Sequence, residues 1–234
     1  MMKPYLKLFL LTFSLMIFSC SSEDDSGNGG GTDGGNLSAQ AVYRVTITGQ
    51  FTAQSHPTDF PAGAGFDKMF FLAHSSSSTL FRTGSAGSDG LKLYAKDGDV
   101  SVLNTEHTTS EDGVSPTIIK IGDAISGTGT DVFDITITPS TTLFSFVSKI
   151  SPSPDWFVGV DSFDLVNPDN TLVEEVTFQL FPYDAGADGG TTYESPDSDE
   201  AGPVTLMNSP PLAAGNGIVN SLGTVTFQRI DQSQ

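Results

Sequence analysis

Cysteine occurs only once in the 234 residues, and basic residues are scarce. A single cysteine forms no intramolecular disulfide, and it excludes zinc–thiolate clusters and Cys-x-x-Cys redox motifs. There are 10 Lys and Arg against 28 Asp and Glu, which gives a formal net charge of −18. A surface of this sign repels nucleic acid and anionic lipid headgroups. We therefore expect no nucleic-acid partner and a surface that attracts divalent cations.

Long apolar runs are also missing, except for one at the amino terminus. The run Leu8–Phe18 follows two lysines and precedes Ser19 and Cys20. It is too short for a transmembrane helix, which needs about 20 apolar residues, and is typical of a secretory signal peptide. Because it ends on a cysteine, it resembles the lipobox of bacterial lipoproteins. The resemblance implies that residues 1–19 are removed and that Cys20 carries a lipid, the chain's one contact with the membrane.

The segment after Cys20 is acidic and then glycine-rich. Residues 20–38 have little apolar surface to bury, so we expect a flexible tether with a root-mean-square reach of roughly 25 Å. The acidic cluster resembles the tag that sends some Gram-negative lipoproteins to the cell exterior. These features predict a bacterial outer-membrane lipoprotein that faces outward, with one domain over residues 39–234.

The body of the chain alternates apolar and polar residues with a period of two, as strands with one buried face do. Tyr43, Val45, Ile47 and Phe51, for example, share one face. The pattern predicts an all-β fold, an antiparallel β-sandwich with one short helix around Gly90–Lys96. The predicted strands cover residues 42–51, 131–138, 142–150, 157–166, 173–181 and 223–230.

Three aspartates are predicted to meet at one end of this sandwich. Residues 157–165 and 173–181 are two strands of nine residues, joined by a turn-forming segment. If they fold as a hairpin, strands of equal length return the chain to its starting end. Asp155, just before the first strand, then lies near Asp184, just after the second. Asp188 follows one glycine-containing turn later.

Carboxylates that lie close together repel each other, and the folded protein must offset this repulsion. Two of them about 5 Å apart, at an effective dielectric constant near 20, repel by roughly 3 kcal/mol. A bound cation, raised pKa values or loops that splay apart would each relieve the repulsion. Neither loop contains Lys or Arg, so a hard divalent ion is the simplest answer. An all-oxygen ligand set suits Ca²⁺ better than Mg²⁺ or Zn²⁺.

The same segments carry a family resemblance. The sequences SPSPDWFVGV (151–160), PYDAGADGG (182–190) and TYESP (192–196), with SHPTDFP (55–61) earlier, resemble the spondin domain of animal extracellular-matrix proteins. The resemblance runs from about residue 42 to residue 230. It implies a C2-like β-sandwich that holds calcium through Asp155, Asp184 and Asp188, and a role in adhesion. The chain lacks the cysteines of the animal domains, and no thrombospondin-type repeat follows.

These observations favour a binding module over an enzyme, with no catalytic residues. No Gly-x-Ser-x-Gly elbow is present, and the three His residues are scattered. We expect a calcium-stiffened surface module that binds an extracellular protein or glycan. The alternatives are a carbohydrate-binding accessory lipoprotein of a polysaccharide-uptake system, a metal-dependent hydrolase, or a structural role in a surface layer. Trp156, the only tryptophan, is expected to fill the core beneath the loops; an exposed ring would favour glycan binding.

Overall fold

A computed structural model of the chain describes residues 40–108, 117–213 and 217–230. The predicted signal peptide, Cys20 and the tether lie outside the described residues, so the lipid anchor stays a prediction. Among the residues described, no helix has the length and apolar character that crossing a membrane requires.

Two antiparallel sheets enclose the main core and confirm the predicted β-sandwich. One sheet has four strands in the order β6-β1-β12-β9, and the other contains the remaining eight. The strands are β1 (Ala41–Gly49), β2 (Gly65–Phe66), β3 (Phe70–His74), β4 (Ile118–Ile121), β5 (Ile125–Ser126), β6 (Thr130–Ile137), β7 (Leu143–Ser151), β8 (Trp156–Asp164), β9 (Glu175–Leu180), β10 (Pro182–Asp184), β11 (Thr205–Leu206) and β12 (Gly223–Ile230).

Strand β1 shows why the period of two predicted this architecture. Tyr43, Val45 and Ile47 are buried, while Arg44 on the opposite face is exposed and pairs with Asp134 at 3.0 Å between Nε and Oδ1. Successive side chains of a strand point to opposite sides, so one side of the four-stranded sheet seals the core and the other faces water.

Two short helices cover the outer face of the larger sheet, where the sequence predicted one. The predicted helix is α1 (Asp89–Asp97), and α2 (Ser101–Thr108) follows it. Their apolar residues pack on the sheet and form a second buried cluster. Its members include Phe70, Leu72, Leu91, Tyr94, Leu103, Val147 and Phe157. The sheet is therefore buried on both faces near its centre.

The second helix was missed because its sequence favours helix only weakly. It contains Val, Asn, His and three β-branched or polar Ser and Thr positions, all modest helix formers. Tertiary contacts hold it in place: Glu106 accepts hydrogen bonds from the Gly90 N–H at 2.6 Å and from the Ser88 hydroxyl at 2.7 Å. Glu106 of α2 thus helps to cap the amino terminus of α1.

Gly90 provides a test of this helix pair. A Cβ at position 90 would lie 2.7 Å from the Leu103 Cα, a backbone atom that cannot rotate away. We expect Gly90→Ala to lower the free energy of unfolding by about 1–3 kcal/mol, because the helices must separate. Helix propensity alone predicts a gain of about 1 kcal/mol from the same change. Urea denaturation distinguishes the loss expected from packing from the gain expected from helix propensity. A stabilised Gly90→Ala variant would contradict the packing argument.

The chain switches sheets between β9 and β10, which corrects the predicted hairpin. Residues 173–181 were expected to pair with β8 along their whole length. The turn does close, with a bridge between Val166 and Leu172, but β9 then pairs with β12 in the four-stranded sheet. Only β10, three residues long, returns to the larger sheet and pairs with β8. The equal lengths of the two segments were therefore no evidence of pairing.

Candidate metal centre

The sheet switch still brings Asp155 and Asp184 together. In the pairing of β10 with β8, Asp184 lies opposite Trp156, so Asp155 is next to the end of β10. The Ala185 N–H donates to the Asp155 carbonyl oxygen at 3.2 Å. The predicted proximity is confirmed, although the strand that creates it is the short β10 and not the expected partner.

Asp155 is completely buried, and its two carboxylate oxygens have different surroundings. Oδ2 accepts hydrogen bonds from the Ala187 N–H at 2.7 Å and the Asp188 N–H at 3.0 Å. Oδ1 is buried without any hydrogen-bond partner. Buried polar atoms are nearly always satisfied, so an oxygen of this kind points to a missing ligand such as an ion or water.

Asp184 and Asp188 lie on the loop that wraps around Asp155. Asp184 is half-buried and accepts from the Gly186 N–H at 2.7 Å, while Asp188 is buried and accepts from the Gly190 N–H at 2.8 Å. Gly186 has φ +67, and a Cβ there would collide with Gly202. Only glycine therefore allows the loop to turn this tightly between the two aspartates.

Two of the three aspartates have raised pKa values, as expected for carboxylates that are buried close together. Burial raises the pKa of Asp155 from 3.8 to about 6, and the negative charges of Asp184 and Asp188 add to the shift, while two backbone N–H donors oppose it. Burial also raises the pKa of Asp184, with Glu200 and Asp188 as the repelling charges. Raised pKa values are one of the three expected forms of compensation.

The sequence reasoning missed a fourth carboxylate. Glu200 lies opposite the aspartate loop, where its N–H donates to the Ala187 carbonyl at 3.1 Å and its charge raises the pKa of Asp184. It is part of the acidic run 197–200. Two members of that run are anchored, because Lys96 of α1 contacts Asp197 at 2.6 Å and Asp199 at 3.0 Å.

The sequence reasoning also missed a buried cation. Lys149 of β7 is 5% exposed, and its ammonium donates to the carbonyl oxygens of Ala95 at 2.6 Å and Ser153 at 2.7 Å. Burial lowers its pKa to about 8, while nearby carboxylates that include Asp155 and Asp188 oppose this shift. Lys149 therefore supplies part of the positive charge that had been assigned to a metal ion alone.

The donor set fits a hard cation, although the side chains do not form a complete cage. Within residues 40–108, 117–213 and 217–230, no group of three or more His, Cys, Asp or Glu side chains is arranged to hold a metal ion. The available donors are oxygens, and Asp155 Oδ1 is one that needs a partner. An ion here would take the rest of its ligands from backbone carbonyls and water, as Ca²⁺ commonly does.

Trp156 lies inside the core, as expected. It is 1% exposed, and its ring makes an edge-to-face contact with Tyr193 at a centroid distance of 5.4 Å. Asp155 lies in the bend just before β8, and Trp156 is the first residue of that strand. A buried ring cannot serve as the exposed sugar-stacking platform that would have favoured a glycan-binding protein.

Fold and site together define a β-sandwich module with an acidic, partly buried site at one end. A family model described as Spondin_N matches residues 41–209, a range that contains all three aspartates. The chain belongs to the Spondin_N family.

Curated relatives agree with this assignment. Spondin-2 of Homo sapiens is 34% identical over 163 residues, which cover 68% of this chain and 49% of that protein. Spondin-1 of Xenopus laevis is 31% identical over 204 residues, covering 81% of this chain and 25% of its own length. Spondin-1 of Gallus gallus is 30% identical over 227 residues, or 89% of this chain and 28% of the relative. The chain thus spans about half the length of spondin-2 and about a quarter of spondin-1.

Proposed function

We propose that this protein is a surface-anchored, calcium-binding spondin module that binds an extracellular ligand. The observation that carries the proposal is the buried Asp155 Oδ1, which has no partner although Asp184 and Asp188 lie nearby. A cation at this position would satisfy the oxygen and relieve the repulsion between the carboxylates. Asp155, Asp184 and Asp188 are the residues that would hold it.

Calcium is the cation that suits these donors best. It accepts six to eight oxygen ligands in flexible geometry and tolerates carbonyl oxygens and water in its shell. Magnesium requires a stricter octahedron, and zinc favours His and Cys ligands, which the three aspartates do not offer. A calcium ion would join the start of β8 to the loop after β10 and would stiffen this end of the sandwich.

The proposed role is binding and not catalysis. Loops held on a stiff sandwich are a common way to present a binding surface, and the family resemblance points to extracellular adhesion. Anchoring through a lipid on Cys20, in the outer membrane of a bacterium, would place this surface outside the cell. Capture of a glycan for a polysaccharide-uptake system remains the alternative, and glycan arrays separate it from adhesion to protein.

Calcium titration of metal-free protein tests the site. With calcium at about 100 times its dissociation constant, we expect the free energy of unfolding to rise by about 2.7 kcal/mol. The variant Asp184→Asn should lose most of this gain, because it removes a charged ligand but keeps the hydrogen-bond acceptor for Gly186. The exposed Asp123→Asn variant is the matched control and should respond like the parent.

Isothermal calorimetry and thermal melts provide the measurement. If protein shown to be metal-free melts at the same temperature with and without excess calcium, and calorimetry detects no binding, the calcium proposal fails. If Asp184→Asn gains as much stability as the parent, calcium binds elsewhere on this acidic chain.

A further inference from the structure

A buried imidazole lies at the end of β3, away from the aspartates. His74 is completely buried, and both of its ring nitrogens have partners. Nδ1 lies 2.8 Å from the Ser75 carbonyl oxygen, and Nε2 lies 2.9 Å from Ser145 Oγ of β7. A carbonyl oxygen can only accept, so Nδ1 carries the proton of the neutral ring and Nε2 is an acceptor. The buried Ser145 hydroxyl therefore donates to His74.

Ser145 also supports an irregular point in the pairing of β7 with β8. The register shifts between Phe144 and Phe146, so that two residues of β8, Asp161 and Ser162, lie opposite Ser145. Ser162 has φ +47, a conformation that few residues other than glycine adopt. Its N–H donates to Ser145 Oγ at 2.8 Å. One buried hydroxyl thus joins His74 to the backbone of this bulge.

These hydrogen bonds form a chain with one direction. The Ser162 N–H donates to Ser145, Ser145 donates to His74, and His74 donates to the Ser75 carbonyl oxygen. A proton added at Nε2 reverses the bond to Ser145, because an imidazolium ring has two donors and no acceptor. The proton of the Ser145 hydroxyl must then find another acceptor in a buried site. The neutral ring is therefore the form that fits the bulge.

The charges around His74 give a protonated ring little compensation. Burial lowers the pKa of His74 below 6.5, while the Ser75 and Ser78 carbonyl oxygens and the Asp161 carboxylate oppose this shift. Asp161 already faces Arg82, with 3.7 Å between Oδ2 and Nε. The strands beside β3 carry three other charged residues, which are Lys120 of β4, Lys149 of β7 and Asp164 of β8.

A second imidazole, on α2, lies near the first. His107 Nδ1 is 3.3 Å from Ser78 Oγ, and the ring packs on Phe70 at a centroid distance of 5.9 Å. Burial lowers the pKa of His107, and repulsion from a charge on His74 lowers it further, while Glu106 opposes the shift. A proton on either ring therefore disfavours a proton on the other, and α2 is coupled to the state of His74.

We propose that His74 is a pH-sensitive switch, which holds the bulge and α2 in place near neutral pH and releases them in acid. Protonation reverses the bond to Ser145, weakens the support of Ser162 and places a positive charge beside His107. We call residues 75–82, 101–108 and 160–164 the acid-sensitive region. The inference goes beyond the proposed binding role and does not require the calcium site.

Hydrogen–deuterium exchange at pH 7 and pH 5, corrected for the intrinsic effect of pH, tests the switch. The pKa of His74 is lower in the folded protein than in an opened state, so opening becomes easier as the pH falls below about 6.5. We expect exchange in residues 160–164 to be about tenfold faster at pH 5. Residues 43–48 of β1, in the other sheet, should not show this acceleration.

Three variants make the test specific. His74→Gln cannot titrate and should lose the acceleration. Ser145→Ala removes the acceptor of the Ser162 N–H, so residues 160–164 should exchange faster already at pH 7. His56→Gln is the matched control, because His56 is also buried and has a lowered pKa but lies outside this network. It should respond to acid like the parent.

The parent alone also provides a direct measurement. Long-range ¹H–¹⁵N NMR spectra at pH 7 should show His74 as the neutral ring with its proton on Nδ1. A proton on Nε2 at pH 7 would overturn the inference, and this result does not depend on the folding of any variant.

Three exchange results would also overturn it. Equal acceleration in residues 43–48 would mean that acid unfolds the whole domain. Acceleration that persists in His74→Gln would exclude His74 as the switch, and its loss in His107→Gln alone would assign the switch to His107. The Asp155 carboxyl titrates in the same range, but its effect should appear in residues 184–190 and persist in His74→Gln.

Discussion

Replacing Asp155 with alanine should destabilise the metal-free protein by about 2 kcal/mol or more at pH 5, where the raised pKa leaves the carboxyl largely protonated and its removal relieves little charge repulsion. Asp155 Oδ2 accepts hydrogen bonds from the Ala187 and Asp188 N–H groups, and the side chain is fully buried. The alanine variant leaves both donors buried without an acceptor, and each unsatisfied group costs about 1–3 kcal/mol. Urea denaturation in excess chelator measures the loss without a contribution from calcium. Asp123→Ala, at an exposed position, is the control and should change stability by less than about 0.5 kcal/mol.

A change of pH titrates the Asp155 carboxyl. It therefore separates the contribution of its charge to stability from the contribution of its hydrogen bonds. Its pKa is raised from 3.8 to about 6, so the folded state holds a proton more tightly than the unfolded state. The Asp155 carboxyl therefore contributes stability that grows as the pH falls from 7 to about 4, while His56, His74 and His107, whose pKa values burial lowers, act in the opposite direction in parent and variant alike. Asp155→Asn keeps one acceptor oxygen but cannot titrate, so the stability of the parent relative to this variant should increase over the same range. If the stability of the parent and of Asp155→Asn changed with pH in parallel, the raised pKa of Asp155 would be wrong.

Replacing Lys149 with methionine should cost the metal-free protein about 3 kcal/mol or more. Methionine fills a similar volume but cannot donate to the Ala95 and Ser153 carbonyl oxygens. It also removes the buried positive charge that faces Asp67, Asp97, Asp155 and Asp188. Removal of one member of a buried charge cluster usually costs about 3–5 kcal/mol, because the remaining charges lose their compensation. Urea denaturation in chelator measures this loss as well.

Lys96→Met provides a matched comparison. Lys96 also belongs to this end of the molecule and contacts two aspartates, but those carboxylates are 73% and 94% exposed. Ion pairs in water contribute about 0–1 kcal/mol, so this variant should be nearly neutral. Equal losses for the two variants would mean that Lys149 contributes only through its charge at long range and not through its buried contacts.

The sequence predicted the strands that have one face in the core and one in water. Strand β1 is the clearest case, since its alternation alone identified the buried side chains. Strand β3 was missed because all five of its residues are buried, which removes the alternation. The exchange between sheets after Leu180 was also missed, because the period of two in residues 173–181 says nothing about which sheet provides the partner.

The candidate site was predicted in part, for reasons that the geometry makes clear. The proximity of Asp155 and Asp184 follows from the positions of these residues at strand ends. The predicted proximity is therefore correct, although the predicted pairing of residues 173–181 with β8 is wrong. The contribution of Lys149 depends on β7, a separate strand that no local pattern connects with the aspartates. A lysine inside the apolar segment Leu143–Ser151 was the available signal, since such a residue needs buried acceptors.

The pairing of β1 with β12 determines which end of the domain can be linked to a support. Val42 pairs with Ile230 at one end of these strands, and Gly49 pairs with Gly223 at the other. Asp184 and Asp188 follow Leu180, which also pairs with Gly223. Val42 and Ile230 lie roughly 24 Å along these strands from Gly49 and Gly223, so a support linked at the Val42–Ile230 end should leave the aspartate loop facing the bulk solution.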